Sequence, residues 1–328
     1  MLLTAYLAFE GGPTVEEVCW PRIAVLGAGA VGCYFGGMLA RAGAPVTLIG
    51  RSLHVEPITR HGLFFEGLHF QEYIPISAST HISAVHNAEL VLFCVKTLDT
   101  EEAAKSLAPH LASGAALISL QNGVDNVERI RSVAKIDAFA AVVYVAAAMT
   151  APGRLKHSGR GDLILGDLLG SSAQDGHRKR QIESLATLFE RAGVPCRVSE
   201  NVAGELWMKM IINCAYNAIS ALGRAQYHRA GGNPWTREVM IKVVEEALAV
   251  AHAAGVRLPD VNMVETTLEI SESMANATSS TAQDLARGKR TEIDSLNGYL
   301  VRRGKELGVA TPFNQTLHAL VKLLEESV

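Results

Sequence analysis

The chain has 328 residues, of which 48% are hydrophobic and 19% are charged, and its formal net charge is −3. This composition is typical of a soluble globular protein, its length favours two domains, and nothing in its charge points to nucleic-acid binding. The five cysteines show no paired spacing, so we expect neither disulfides nor a metal site, and we predict a cytoplasmic protein. No apolar run reaches the ~20 residues of a membrane helix, and we expect no membrane partner.

The first 21 residues precede the first predicted strand. Residues 2–9 are apolar, but no basic residue comes before them, and Glu10, Glu16 and Glu17 follow. This pattern is not that of a signal peptide. We therefore expect residues 1–21 to form a poorly ordered N-terminal extension.

A glycine-rich turn follows the first predicted strand, at 22–27, and leads into a helix predicted at 30–42. In the pattern G-x-G-x-x-G, Gly27 would make the tight turn, Gly29 would let a pyrophosphate approach the backbone, and Gly32 would let the helix pack on the strand. The helix N-terminus would then face the phosphates. The alternative is a glycine-rich turn without a ligand. The predicted cofactor-binding residues here are Gly27, Ala28, Gly29, Ala30, Val31 and Gly32.

The end of the second strand, predicted at 45–49, bears on the choice of dinucleotide. A site for NAD places an acidic residue about 20 residues after the glycines, where it binds the ribose 2′-hydroxyl. No acid occurs between Gly32 and Glu56, and Arg51 stands in this region. A guanidinium can bind a 2′-phosphate, so we favour NADP(H) over NAD, although Arg51 could also be an ordinary exposed loop residue.

The first part of the chain alternates strands with helices. Further strands are predicted at 89–95, 115–119, 138–145, 154–157, 162–165 and 195–198. Helices are predicted at 99–112, 124–134 and 176–192, and residues 63–76 are predicted to form a hairpin on the sheet edge. The alternation predicts a Rossmann-like, doubly wound α/β domain over residues 22–199.

Helical periodicity dominates after residue 200. Helices are predicted at 203–222, 234–254, 261–276, 281–286, 290–307 and 312–325. We therefore predict an all-helical C-terminal domain over residues 200–328. Ligands of a doubly wound sheet bind at the carboxyl ends of its strands, so we expect the helical domain to close over that edge.

Polar residues stand at three places where they could meet a ligand. Lys96-Thr97 and Gln121-Asn122-Gly123 each follow a predicted strand. Lys209, Asn213 and Asn217 are spaced by four within an otherwise apolar helix, and therefore share one face. Burying them without partners would be costly, so they need a polar partner. Two interpretations of the helix stay open, a functional stripe or structural contacts between helices.

Taken together, these motifs resemble those of the ketopantoate reductase family, over residues 22 to the end. The similarity rests on the glycine-rich turn, Arg51, Val95-Lys96-Thr97, Gln121-Asn122-Gly123, Ala148 with Pro152-Gly153, His157-x-Gly159-x-Gly161, Trp207-x-Lys209-x₃-Asn213-x₃-Asn217, Ser279-Ser280-x₂-Gln283-Asp284, and Thr291-Glu292-Ile293-Asp294-x₂-Asn297-Gly298.

The resemblance implies NADPH-dependent reduction of 2-dehydropantoate (ketopantoate) to pantoate, in pantothenate biosynthesis. It implies Lys209 as the proton donor and the substrate-binding residues Asn122, Asn213, Asn217 and Ser280. It further implies that the cofactor contacts include Lys96, Asn122, Ala148 and Glu292. The sequence leaves the oligomeric state open, a homodimer included.

The chain departs from the family pattern at two positions on the substrate side. No Asn occurs between Gly223 and Asn233, and Ala277 stands where the family has an Asn before the serine pair. These departures put the identity of the 2-oxo acid in doubt. The alternatives are a reductase of another small 2-oxo acid, a related dehydrogenase of 3-hydroxyacid or opine type, and a catalytically silent NADP(H)-binding sensor.

Overall fold

The computed structural model of the chain describes residues 19–169 and 175–327. The predicted N-terminal extension therefore lies outside the described residues, apart from residues 19–21. The strands are β1 (Ile23–Leu26), β2 (Val46–Ile49), β3 (Leu63–Glu66), β4 (Gln71–Ile74), β5 (Ser77–Ser79), β6 (Leu90–Phe93), β7 (Ala116–Ser119), β8 (Phe139–Ala151), β9 (Arg154–Gly166) and β10 (Cys196–Val198).

Helices separate most of the parallel strands as far as β10, and after β10 the described helices follow one another. They are α1 (Ala30–Arg41), α2 (Ser52–His61), α3 (Thr100–Leu107), α4 (Asn126–Ala134), α5 (Asp175–Arg191), α6 (Val202–Leu222), α7 (Tyr227–Gly232), α8 (Pro234–Ala253), α9 (Met263–Ser273), α10 (Ser280–Leu285), α11 (Asn297–Leu307) and α12 (Pro312–Glu325). In the described part of the chain, no helix is both long and apolar enough to cross a membrane.

All the described strands join one sheet, in the order β4-β3-β9-β8-β7-β6-β1-β2-β5, with β10 paired to β9. The strands from β8 to β5 along this order are parallel, as in a doubly wound fold. Strand β9 runs antiparallel to β8, and the predicted hairpin is β3–β4 at the sheet edge. The predicted fold class, a Rossmann-like sheet followed by helices, is confirmed.

The sheet is covered on both faces, which explains why its strands are almost continuously apolar. One face packs on α1 and α5, through side chains such as Phe35 and Phe189. The other face packs on α3 and α4, and there the first turns of α6 contribute Val202 and Leu206. A separate core holds the C-terminal helices together and includes Ile211 of α6. Helix α6 is therefore fixed at one end to the sheet and along its remaining length to the helical core.

Several predicted elements were wrong in extent. The strands predicted at 154–157 and 162–165 are one strand, β9, which pairs with a longer β8 than expected. Bulges in this pairing interrupt the period-two pattern by which a strand is recognised. The helix predicted from residue 290 begins only at Asn297, after a short 3-10 turn.

Helices α2 and α7 and strand β5 were not predicted. Helix α2 contains Pro57 and has little apolar character, so its packing on the sheet, through Val55 and Ile58, outweighs its weak local signal. Helix α7 has only six residues, too few to show a period. The domain boundary at residue 199 stays a prediction; the change from strands to successive helices lies between β10 and α6.

The glycine-rich turn provides a test of this packing. A Cβ atom on Gly32 would lie 2.1 Å from the backbone oxygen of Gly27, whereas one on Gly29 would meet nothing within 4 Å. We expect Gly32→Ala to lower the free energy of unfolding by ~2–3 kcal/mol, because α1 must move away from β1. Gly29→Ala, the matched control, should unfold at the same denaturant concentration as the wild type in urea titrations. Equal losses in the two variants would contradict the packing role of Gly32.

Candidate active site

The turn between β1 and α1 presents an open helix N-terminus. Gly27 has φ +115°, and a Cβ there would lie 2.6 Å from the backbone of Cys94. Helix α1 begins after Gly29, with no side-chain cap and no acidic residue in its first turn. Its first N–H groups are therefore available to an anion, and the helix dipole favours negative charge there. Ala28 lies in this turn, and Ala30 and Val31 begin α1; that they bind the cofactor stays a prediction.

Arg51 lies beside this turn. Gly50 packs so closely on Ala28 that a Cβ on Gly50 would lie 2.6 Å from the Ala28 Cβ, and the next residue, Arg51, is exposed at the start of α2. A basic group that sequence reasoning missed stands nearby. The pKa of His54 is lowered by burial, and further by the positive charges of Lys289 and Arg51. Two positive charges from distant parts of the chain thus act on His54, in the first turns of α2.

The ends of β6 and β7 are fixed by a buried polar network. The Gln121 amide donates to the Val95 carbonyl at 3.1 Å and to the Thr100 hydroxyl at 2.8 Å. The Thr97 hydroxyl donates to the backbone oxygen of Asn122 at 3.0 Å, and the Asn126 amide donates to the same oxygen at 2.7 Å. Because these bonds hold the loop backbone, the Asn122 side chain is left to point away from the sheet, toward α6.

The Asn122 side chain connects two charged residues. Its Nδ2 donates to Glu292 Oε2 at 3.2 Å, and its Oδ1 accepts from Lys209 Nζ at 2.9 Å. Glu292 Oε1 also accepts from the Thr97 backbone N–H at 2.9 Å. Residues from the β7 loop, from α6 and from the segment before α11 therefore meet at one point. Both donor and acceptor ends of the amide are used, so its orientation is set.

The Lys209 ammonium is held on two sides. Besides bonding to Asn122 it donates to the backbone oxygen of Val143 on β8. Burial lowers the pKa of Lys209 to about 8; Glu292 acts in the opposite direction, Arg160 adds to the lowering, and Asp162 opposes it. Burial dominates because the charged form loses hydration, while the two acceptors are a neutral amide and a carbonyl.

The other two members of the α6 stripe lie farther along the helix. Asn213 is partly buried one turn after Lys209. Asn217 is only 3% exposed, its Oδ1 accepts a long 3.5 Å bond from the Tyr227 hydroxyl, and its backbone oxygen accepts from Ser279 at 3.0 Å. Ser280, the predicted substrate ligand, is exposed at the first position of α10. Sequence reasoning missed Tyr227, since nothing in its local pattern placed it against α6.

Two predicted cofactor residues lie apart from this cluster. Lys96 pairs with Asp284 of α10 at 2.7 Å, and its Nζ also donates to the backbone oxygen of Arg290. Ala148 lies on β8 opposite Lys156, about 16 Å along the strand from Val143. The structure thus brings Lys209, Asn122 and Glu292 into contact, and leaves Lys96, Ala148 and Ser280 outside that contact.

Comparison with known families gives matches over nearly all of the chain. The model of the ketopantoate reductase PanE/ApbA family matches residues 23–170, and that of the ketopantoate reductase PanE/ApbA C-terminal region matches residues 201–325. The chain is 33% identical to the 2-dehydropantoate 2-reductase of Pyrococcus horikoshii over 304 residues, which are 93% of this chain and 97% of that protein.

The solved structures similar to this chain include a member of the same family. A PanE/ApbA family ketopantoate reductase from Ralstonia eutropha JMP134 is 49% identical, with a TM-score of 0.86 over 93% of this chain and 99% of the other. A ternary structure of D-mandelate dehydrogenase with NADH and anilino(oxo)acetate is 25% identical, with a TM-score of 0.85 over the same shares of the two chains. This chain therefore belongs to the ketopantoate reductase family.

Proposed function

We propose that this protein reduces a small 2-oxo acid to the 2-hydroxy acid, with NADPH as hydride donor and Lys209 as proton donor. The leading candidate substrate is 2-dehydropantoate, since the family and the Pyrococcus horikoshii relative carry that activity in their names. The observation that carries the proposal is the Lys209 ammonium, held by Asn122 and Val143 at the carboxyl edge of the sheet.

The residues present fit a dinucleotide phosphorylated at the ribose. The uncapped N-terminus of α1 suits a pyrophosphate, and the open space beside Gly29 leaves room for it. Arg51, exposed at the start of α2, suits a 2′-phosphate, and Lys289 adds positive charge that acts on the nearby His54. Asn122 and Glu292 would line the nicotinamide end, Lys96 would contact the cofactor elsewhere, and the cofactor would supply the hydride.

Lys209 is arranged to act as an acid. An ammonium has three N–H donors, and two of them are committed to Asn122 Oδ1 and the Val143 carbonyl. The third is left for the substrate carbonyl oxygen, where it stabilises the developing alkoxide and then transfers its proton. A pKa of about 8 keeps Lys209 largely protonated at pH 7, yet makes it a stronger acid than an ordinary lysine.

The remaining stripe would bind the rest of the substrate. Asn213 lies one turn beyond Lys209 and Asn217 two turns beyond, about 12 Å along α6. Neutral amides can bind a carboxylate or hydroxyl without competing with the ammonium for charge. Ser280, exposed at the start of α10, would complete this side of the site.

A second candidate substrate is a 2-oxo acid with an aromatic side chain. The two departures from the family pattern are neighbours in space, because the Tyr227 backbone N–H donates to the Ala277 oxygen at 2.9 Å. The Tyr227 ring is buried against Tyr216, with centroids 4.6 Å apart. The Tyr227 hydroxyl reaches the Asn217 side chain, so an aromatic ring stands next to a proposed substrate ligand, which favours a substrate with an aromatic group. The mandelate dehydrogenase noted above was solved with anilino(oxo)acetate.

Replacing Lys209 tests the proton donor. We expect Lys209→Met to lower kcat by about 10²- to 10⁴-fold, because the alkoxide then lacks its acid. The dissociation constant for NADPH, measured by fluorescence titration, should stay within about threefold. Lys105→Met, an exposed helix position, is the control. A Lys209→Met enzyme with near-normal kcat would refute the assignment.

Replacing Arg51 tests the cofactor. We expect at least about a tenfold preference for NADPH over NADH in kcat/KM, equal to ~1.4 kcal/mol. Arg51→Ala should remove most of that preference, because the 2′-phosphate loses a charged partner. Arg60→Ala, at the other end of α2 and also exposed, should keep it. If Arg51→Ala discriminates as well as the wild type, other residues select the cofactor.

A panel of 2-oxo acids at fixed NADPH separates the candidates. If 2-dehydropantoate is the substrate, it should exceed 2-oxoisovalerate, which lacks the hydroxymethyl group, by about 100-fold in kcat/KM, since polar groups of the site would otherwise stay unpaired. Phenylglyoxylate as the best substrate would favour the aromatic alternative. NADPH binding without turnover of any oxo acid would indicate a silent cofactor-binding protein.

A further inference from the structure

A bulge in β9 lies directly opposite Tyr144 of β8. Tyr144 pairs with Asp162 and Val145 pairs with Arg160, so Gly161 is the additional residue. Arg160 has φ +51°, a left-handed conformation that is uncommon outside glycine, and Gly161 has φ +147°. A Cβ on Gly161 would lie 1.9 Å from the Tyr34 hydroxyl. Bulges redirect side chains and recur beside functional sites.

The bulge aims the Arg160 guanidinium at the face of Tyr144. The guanidinium carbon lies 3.9 Å from the ring centroid, and the group forms a bidentate pair with Asp162, at 3.0 Å and 2.6 Å. The His157 ring contacts the Arg160 backbone oxygen and so helps to fix the turned backbone. On Tyr144 a second cation meets the ring, because Lys209 Nζ lies 5.6 Å from the same centroid.

We propose that Tyr144 positions the Lys209 ammonium through its ring, and that the Arg160–Asp162 pair on the same ring adjusts how readily that ammonium gives up its proton. The proposal rests on the role of Lys209 given above, and assigns a purpose to the His157-x-Gly159-x-Gly161 motif. Tyr144, Arg160 and Asp162 act through Lys209 and need not touch the substrate.

Arg160 and Asp162 carry opposite charges, so replacing one or the other should shift the pKa of Lys209 in opposite directions. Arg160 favours loss of the Lys209 proton, whereas Asp162 and Glu292 oppose it. Tyr144 itself faces Arg160 and Asp162, and also Glu205 and Arg197, which pair with each other at 2.6 Å. Removing the Arg160 charge should therefore raise the pKa of Lys209, and removing the Asp162 charge should lower it. A role limited to stabilising the hairpin gives no reason for opposite shifts.

The test is a direct pH titration of Lys209 in the full chain. Its protonation is monitored by NMR, through the ¹³C chemical shift of its ε-carbon in protein labelled at lysine. The Lys209 signal is assigned by its loss in Lys209→Met. We expect Arg160→Gln to raise the pKa and Asp162→Asn to lower it, each by about half a pH unit. The kcat/KM profiles for NADPH-dependent reduction should shift in the same directions.

The hairpin supplies a matched control. Arg178 lies 4.2 Å from the Phe139 ring centroid on β8 and pairs with Asp167, so it repeats the same arrangement farther from Lys209. Arg178→Gln should leave the Lys209 titration unchanged. Tyr144→Phe should also leave it unchanged, whereas Tyr144→Leu should lower the pKa by about half a unit, because the cation loses the ring face.

The outcomes separate this proposal from the proposed function. Shifts of equal sign in Arg160→Gln and Asp162→Asn, or no shift in either, would overturn the inference even if the wild type reduces a 2-oxo acid. Opposite shifts in a protein that oxidises no NADPH would uphold the link to Lys209 and refute the proposed reaction instead.

Discussion

The arrangement of the candidate site depends on one side-chain amide. Asn122 donates to Glu292 and accepts from Lys209, so it joins a loop of the sheet to α6 and to the segment before α11. A carboxylate at this position would hold the lysine charged, and an apolar residue would leave both charges without a shared partner. A neutral amide keeps Glu292 and Lys209 connected without neutralising either, and burial is then the largest influence on the proton affinity of Lys209.

The fold places this amide by ordinary packing rules. Because β6 and β7 are parallel neighbours, their carboxyl ends lie side by side, and the loops after them share the hydrogen bonds of Thr97 and Gln121. Helix α6 reaches the same edge since its first turns are buried against the sheet at Val202 and Leu206. Lys209 follows two turns after Val202, at the junction between the two hydrophobic cores.

Part of this could be predicted from the sequence, and the reason the rest could not is physical. The glycine-rich turn, the order of the main strands and the α6 stripe are local patterns, and Lys209 does meet polar partners, as its apolar surroundings required. Ser280 is a different case, since its neighbour Ser279 is the buried one that bonds to α6. Ser279 is the N-cap of α10 and Ser280 its first residue. The hydrophobic periodicity of the sequence does not predict which of the two serines is buried.

The residues that surround Lys209 on β8 and β9 were beyond sequence reasoning for another reason. A bulge changes which residues oppose each other, so the stacking of Arg160 on Tyr144 depends on a register that no alternation pattern reveals. Likewise, Arg51 could be proposed from its place after β2, but Lys289 comes close only through the tertiary fold.

The central claim is that Lys209 exchanges the proton in both directions of the reaction. The most direct measurement is the pH dependence of kcat/KM for reduction of the 2-oxo acid and for oxidation of the 2-hydroxy acid. Reduction needs the ammonium, so kcat/KM for reduction should be constant at low pH and fall as the pH rises through about 8. Oxidation needs the neutral amine, so kcat/KM for oxidation should rise with pH up to about 8 and then become constant. This role of Lys209 would be contradicted if the pH profiles of kcat/KM changed slope far from pH 8, or if the same change of slope persisted in Lys209→Met.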